Sequence, residues 1–375
     1  MKKTLVALAV LTAASASFAQ VTITGKLGFG AQKTPTKADA DANKAQGFLM
    51  TDGDVLFTAT EDLGGGMKAT VASEIRLRGR DDSVSARNAT VSLTTGFGLI
   101  SVGSIEAVSP LLTVGTAGAP IELSTNMDGN ASSRTATPIA PRTNIDAVSL
   151  TLPIGPVTAT VLYSEVNGAA GNGAAIGMDG NNNAPTTFAG VLPAASATTS
   201  GNMTGLTAWT VIGRYNAGPL SLYADYTMFD MKPTNTNAFN GPVFQATVVK
   251  FYKDWGRTRL AGTYDFGVAK VGLGYLTADH DYPDQLSAGL TVPMGAVTFG
   301  LTYAQVDAAK ATYALSPSRI ARTFTGAGVQ YDFSKMTNLN LSYGTFTGSE
   351  GAAGGGKTVG GDYSDEYRIR LLKKF

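Results

Sequence analysis

Along most of the chain, apolar residues and small polar residues alternate with period two. Val297, Phe299, Leu301 and Tyr303 alternate with Thr298, Gly300 and Thr302. Leu339, Leu341 and Tyr343 alternate with Asn340, Ser342 and Gly344, and Leu286, Ala288, Leu290 and Val292 with Ser287, Gly289 and Thr291. The stretches 157–163 and 271–275 repeat the pattern, and helical periodicity is scarce. A period of two means strands whose two faces meet different surroundings. The chemistry of the polar face narrows the choice of surroundings. It is mostly Gly, Ser, Thr and Asn with isolated Arg and Asp, whereas a soluble β-protein dresses its exterior with Lys and Glu. Only 15% of the residues are charged, against roughly 25% in soluble domains. A transmembrane barrel, apolar outside and polar inside, meets both observations. It also explains why no stretch after residue 20 is long and apolar enough for a spanning helix: apolar residues occupy every second position.

The connections count the strands. Short ones rich in Gly, Pro and Asn lie at 61–66, 96–98, 153–156, 217–219, 267–269, 293–296 and 334–338. Long ones lie near 31–52, 79–86, 104–141, 166–205, 230–243, 278–284, 307–318 and 347–364. Seven short and eight long connections join sixteen strands, the even count and the short–long asymmetry of an outer-membrane barrel. The count takes 243–266 as one strand, its first part belonging to the loop. A turn at 254–257 would instead give seventeen. The expected fold is all-β, a 16-stranded antiparallel transmembrane β-barrel.

Met1-Lys2-Lys3, the apolar run 5–11 and the small residues of Ser17-Phe18-Ala19 read as a secretory signal peptide cut after Ala19. Residues 1–19 are then the signal and 20–375 the barrel, a single domain. The signal holds two lysines and no acid, so the net charge of +1 for the whole chain becomes −1 for the mature one. A near-neutral exported protein does not point to nucleic acid. With no cysteine there is no disulfide, thiol nucleophile or Cys-based zinc site, and the single histidine, His280, excludes a two-His metal site. No cofactor is expected.

Three stretches imitate catalytic or binding motifs. Residues 351–358, GAAGGGKT, match the phosphate-loop spacing, but VGGDYSDEY follows where a helix should open. Asp39, Asp41 and Asn43 resemble the start of a calcium loop, yet Lys44 replaces the required Gly and Met50 the bidentate Glu. His280 stands between Asp279 and Asp281, but neighbours in sequence do not orient one another as a triad requires. None supports an enzyme.

TEDLGGGMKATVASE at 60–74 resembles the second hairpin of general Gram-negative porins, especially those of β-proteobacteria. VSLTTGFGLISVGS at 91–104, VQYDFSKMTNLNLSYGTF at 329–346 and YRIRLLKKF at 367–375 resemble further strands of that family. The resemblance implies a homotrimeric outer-membrane diffusion channel whose third long loop folds inward and narrows the pore. It also implies that basic wall residues face acids on that loop. By this resemblance Arg87 and Arg142 match constriction arginines, although alternation does not place Arg142 inside without a bulge. Where the family has an Arg before the second strand, this chain has Asp54. Glu122 and Asp128 are the expected facing acids. Phe375 matches the terminal aromatic read by the barrel-assembly machinery. Its parity with Tyr367, Ile369 and Leu371 puts it at the lipid interface, and Lys373 can snorkel there.

Alternation assigns Lys68, Arg76, Arg78, Arg214, Arg257, Arg259, Lys270, Arg322, Arg368, Arg370 and Lys374 to the lumen, with Asp54, Glu74, Asp225, Asp265 and Asp332. Fixed charge in a low-dielectric tube selects the opposite sign, so a modest anion preference is expected. The expected function is passive diffusion of small hydrophilic solutes and ions, without chemistry. A substrate-specific channel and a non-conducting structural or adhesive barrel remain as alternatives. A specific channel would favour a row of inward aromatics, where only Tyr223 and Phe324 stand.

Overall fold

The computed structural model describes residues 20–33, 46–77, 84–121, 142–166, 206–231, 255–279, 284–307, 322–347 and 364–375. The strands are β1 (Gln20–Lys33), β2 (Gln46–Gly64), β3 (Met67–Leu77), β4 (Val84–Thr94), β5 (Leu99–Val108), β6 (Arg142–Ile154), β7 (Val157–Val166) and β8 (Leu206–Ala217). They continue with β9 (Leu220–Met231), β10 (Trp255–Asp265), β11 (Lys270–Ala278), β12 (Gln285–Met294), β13 (Val297–Val306), β14 (Arg322–Ser334), β15 (Thr337–Thr347) and β16 (Ser364–Lys374). Each strand pairs antiparallel with its neighbours in sequence, and β1 pairs with β16, closing the barrel. Closure satisfies every strand edge, which a bilayer demands because it offers no water to unpaired backbone.

All seven short connections join adjacent strands as tight links. Strand boundaries shift at the other end. β2 begins at Gln46, well inside the expected loop, since antiparallel pairing with β1 runs on to Lys33↔Gln46 regardless of hydropathy. β10 begins at Trp255, and Trp255-Gly256-Arg257 is strand and not turn, so the count stays sixteen; 243–254 lie outside the described residues.

The two parities differ as the alternation requires. Leu273 (60% exposed), Leu301 (54%) and Leu371 (50%) stand on the outer face. Aromatic pairs gird that face at both ends: Tyr264–Phe266 and Tyr331–Phe333 near the turns, Tyr163–Trp209 near the long loops. The last residue completes the seam between first and last strands. Phe375 N–H donates to Gly25 O (3.0 Å) and Gly25 N–H to Phe375 O (2.9 Å). The ring lies over Gly25, where an added Cβ would come within 2.5 Å of its Cζ.

Candidate functional site: the inner wall

Three sectors of the inward parity differ in character. On β16, β1, β2 and β3 it is charged. Lys26 Nζ reaches Asp52 Oδ1 (2.9 Å) and Asp54 Oδ2 (3.2 Å), Arg370 Nη1 reaches Asp52 Oδ2 (2.9 Å), and Arg76 Nε reaches Asp54 Oδ1 (3.4 Å). Arg368 donates to Gln32 Oε1 through Nε (3.0 Å) and Nη2 (2.9 Å). Local sequence produces the cluster through a register shift after Gly28. Gly28 pairs with Asp52 and Phe29 with Met50, so Thr51 is bulged and Asp52 falls beside Arg370.

A second charged sector lies on β8–β10. Asp225, its side chain fully buried, accepts from Arg259 Nε (2.8 and 3.1 Å) and Tyr223 Oη (2.6 Å), with Arg259 Nη2 at 2.7 Å. Arg257 Nη2 donates to Thr227 Oγ1 (3.4 Å), whose hydroxyl lies 3.0 Å from that of Thr210. The Arg214 guanidinium sits 5.5 Å from the Tyr223 ring centroid.

The third sector, on β11–β15, is uncharged between Lys270 and Asp332 near the turns and the position of Arg322 near the loops, and that middle stretch is covered. After β5, Ser109 caps a one-turn helix α1 (Pro110–Thr113), its hydroxyl accepting from Leu111 N–H while Pro110 takes the first turn. Residues 111–121 then run across the wall. Ser287 Oγ donates to Leu111 O (2.7 Å), Thr291 Oγ1 to Ala117 O (3.1 Å) and Asn340 Nδ2 to Pro120 O (2.8 Å). Glycines make the room. A Cβ at Gly289 would lie 2.0 Å from Thr116 O, at Gly328 2.2 Å from Pro120 O, at Gly300 2.4 Å from Pro120 Cδ, and at Gly272 2.6 Å from Ala117 N. Ser287 and Asn340 are fully buried beneath the segment.

Of the expected site residues, Arg76 and Arg259 are inward and ion-paired, each with an acid of its own wall. Arg78, Glu122 and Asp128 lie outside the described residues. Arg87 falls at an irregularity of β4, between Ala86↔Ile75 and Ala89↔Ser73. Arg322 pairs with Val306 and shares the parity of buried Phe324. Arg142 pairs with Val108 in a register that runs continuously to Leu99↔Thr151. Asp146 accepts a hydrogen bond from Ser104 Oγ.

Sequence reading missed Lys26, Asp52, Asp62 and Glu366 on the inner parity. Their inclusion narrows the excess of basic residues. Lys26 was legible, since Ile23, Leu27 and Phe29 hold the opposite parity; Asp52 was not, because it had been placed in a loop. Among the described residues, no three His, Asp or Glu side chains gather as metal donors. Tyr223 and Phe324 stand on β9 and β14, too far around the wall to form a row of aromatics.

A sixteen-stranded barrel of this kind encloses an aqueous channel. The family model of Gram-negative porins matches residues 4–353. No curated protein matches the sequence. Among solved structures, the chain is similar to an anion-selective porin from Comamonas acidovorans (18% identity, TM-score 0.61), covering 95% of this chain and 100% of that one. It is also similar to a mutant porin of Rhodopseudomonas blastica (13%, TM-score 0.58, 95% and 100%). A loop-deleted OmpT of Vibrio cholerae is a third (13%, TM-score 0.56, 95% and 99%). A barrel closed by its last strand, apolar without and charged within, with a family match over nearly its whole length, makes this chain a member of the Gram-negative porin family, an outer-membrane diffusion channel.

Proposed function

We propose that this porin forms a homotrimer of water-filled channels with a modest preference for small anions, each narrowed by the loop between β5 and β6. The observation that carries the anion preference is the inner wall: among the described residues of β8–β10, Arg214, Arg257 and Arg259 outnumber the acids of the same parity, Asp225 and the turn-side Asp265. In a low-dielectric tube such fixed charge concentrates counter-ions. The Comamonas acidovorans structure is described as anion-selective; our assignment rests on this chain's own charges. Narrowing is supported by residues 111–121 crossing the β11–β15 wall; Glu122 and Asp128, which follow them in sequence, are proposed as the facing acids.

Trimerisation is supported by a break in the outer aromatic belt. The described outward residues of β3–β5 include Val71, Ile75, Val91, Leu93, Ile100 and Val102, with no aromatic among them. β9–β16 carry Tyr226, Tyr264, Tyr275, Phe299, Tyr331, Tyr343 and Tyr367. A carboxylate such as Asp146 on the outer face is costly against lipid and better placed against another protomer. Residues 1–19 act as the cleaved export signal, and Phe375 serves as the recognition point for the assembly machinery. Reversal potential across a potassium chloride gradient tests the selectivity. An anion-side potential is expected, and clear cation selectivity would overturn the reading.

A further inference from the structure

We propose that the β8–β10 wall is a saturable station for small oxyanions, phosphate or carboxylate, formed by the guanidiniums of Arg257, Arg259 and Arg214. The inference rests on the diffusion-channel reading and deepens it by naming a ligand class and a place. Three basic groups, on the two strands that flank β9, share one inward face there. Arg259 and Arg257 are two residues apart on β10, and Arg214 lies opposite Tyr223, whose neighbour on that face, Asp225, pairs with Arg259. The sector is thus drawn out along the strand direction as three cationic steps, from Arg257 on the loop side to Arg214 near the turn.

Each guanidinium is oriented by a different device. Arg259 is held by Asp225, which Tyr223 also grips at 2.6 Å. Arg257 is held by Thr227, backed by the Thr210 hydroxyl at 3.0 Å. Arg214 rests on the Tyr223 ring. With long side chains fixed in advance, an entering oxyanion costs little ordering, and a planar guanidinium offers it paired donors. Among the described residues the three bases share this parity with two acids, Asp225 and, at the turn, Asp265, which accepts from Gly267 N–H; the sector stays positive. In the β16–β3 sector, by contrast, Lys26, Arg370 and Arg76 lie on Asp52 and Asp54, and Asp62, Glu74 and Glu366 hold the same parity. Asp225, Tyr223 and Thr227 are positioning residues here, while the arginines would touch the ion.

The test is chloride current through the mature full-length protein in planar bilayers, with inorganic phosphate added at constant ionic strength. In the wild type, phosphate reduces the chloride current along a saturating curve. Arg257→Gln weakens half-saturation about tenfold, the cost of losing one hydrogen-bonded charge contact. Asp225→Asn shifts it the other way, because Arg259 is no longer neutralised. Opposite signs separate a binding role from a structural one, and Arg257→Gln alone remains decisive if Asp225→Asn does not fold. A phosphate effect without saturation would overturn the station. So would equal shifts in one direction, or loss of the effect in Arg76→Gln with none in Arg257→Gln. No chloride conductance at all would overturn the channel reading itself, and the station with it.

Discussion

On the wall formed by β16, β1, β2 and β3 the inward positions hold Lys26, Asp52, Asp54, Arg76 and Arg370, tied into one ion-paired network. On the wall formed by β11–β14 the same parity holds Gly272, Gly289, Gly300 and Gly328, pressed against the backbone of residues 111–121. Both walls obey the same period-two rule, and both look outward with an apolar face. What differs is the neighbour on the inside. Side chains that face water keep their charge and find partners among themselves. Positions that carry a second layer of chain give up the side chain, because a strand and a loop can approach closely only where no Cβ stands between them. One barrel thus has a wall whose charges pair among themselves and a wall whose glycines seat residues 111–121.

The largest expected effect comes from filling the seat. Gly289→Val puts branched carbon where Thr116 O already lies 2.0 Å from an ideal Cβ, and backbone cannot yield as a side chain can. The segment must lift, so single-channel conductance changes severalfold while the far-ultraviolet signature of the barrel persists. Next is Asp52→Asn on the charged wall. It leaves Arg370 (4% exposed) and Lys26 without the negative charge between them, which costs about 1–3 kcal/mol of stability. The same change makes the wall more positive, so reversal potentials move further to the anion side. Asn340→Ala removes the donor to Pro120 O at 2.8 Å and should cost about 1 kcal/mol, with noisier open-channel current. Gly28→Ala should matter least. There an added Cβ meets Thr51 Oγ1 and Asp52 Oδ2, side-chain atoms that can shift, and conductance should stay close to wild type. A large effect at Gly28 and none at Gly289 would erase the distinction between the walls.

Much of the architecture could be read from residues alone, since a barrel strand advertises its parity at every second position. Leu286, Leu290 and Val292 against Ser287, Gly289 and Thr291 announced both faces of β12, and Gly155, Gly218 and Gly295, all in left-handed backbone, marked the turns. The ends of strands were less legible. β2 extends to Gln46 because backbone pairing continues past the bilayer, where no apolar alternation is needed. Bulges were invisible for a related reason: the skipped Thr51 between Gly28 and Phe29 looks like any other residue. Charge identity was readable, and Arg76 and Arg259 were found, but their partners Asp54 and Asp225 depend on register between strands. The seat was hidden most completely. Gly289 and Gly328 read as the small polar side of a strand, and absence of a side chain says nothing about what fills the space.

The absence of cysteine from the chain allows a clean measurement of the central claim. Ala117→Cys combined with Thr291→Cys joins two positions already linked by a 3.1 Å hydrogen bond from Thr291 Oγ1 to Ala117 O. Oxidation in intact outer membranes should produce the intramolecular disulfide in high yield and leave chloride conductance nearly unchanged. Ala117→Cys combined with Lys26→Cys, on the charged wall, should not link. Failure of the first pair together with efficient linking of the second would contradict the division of the lumen into a seat and a charged wall.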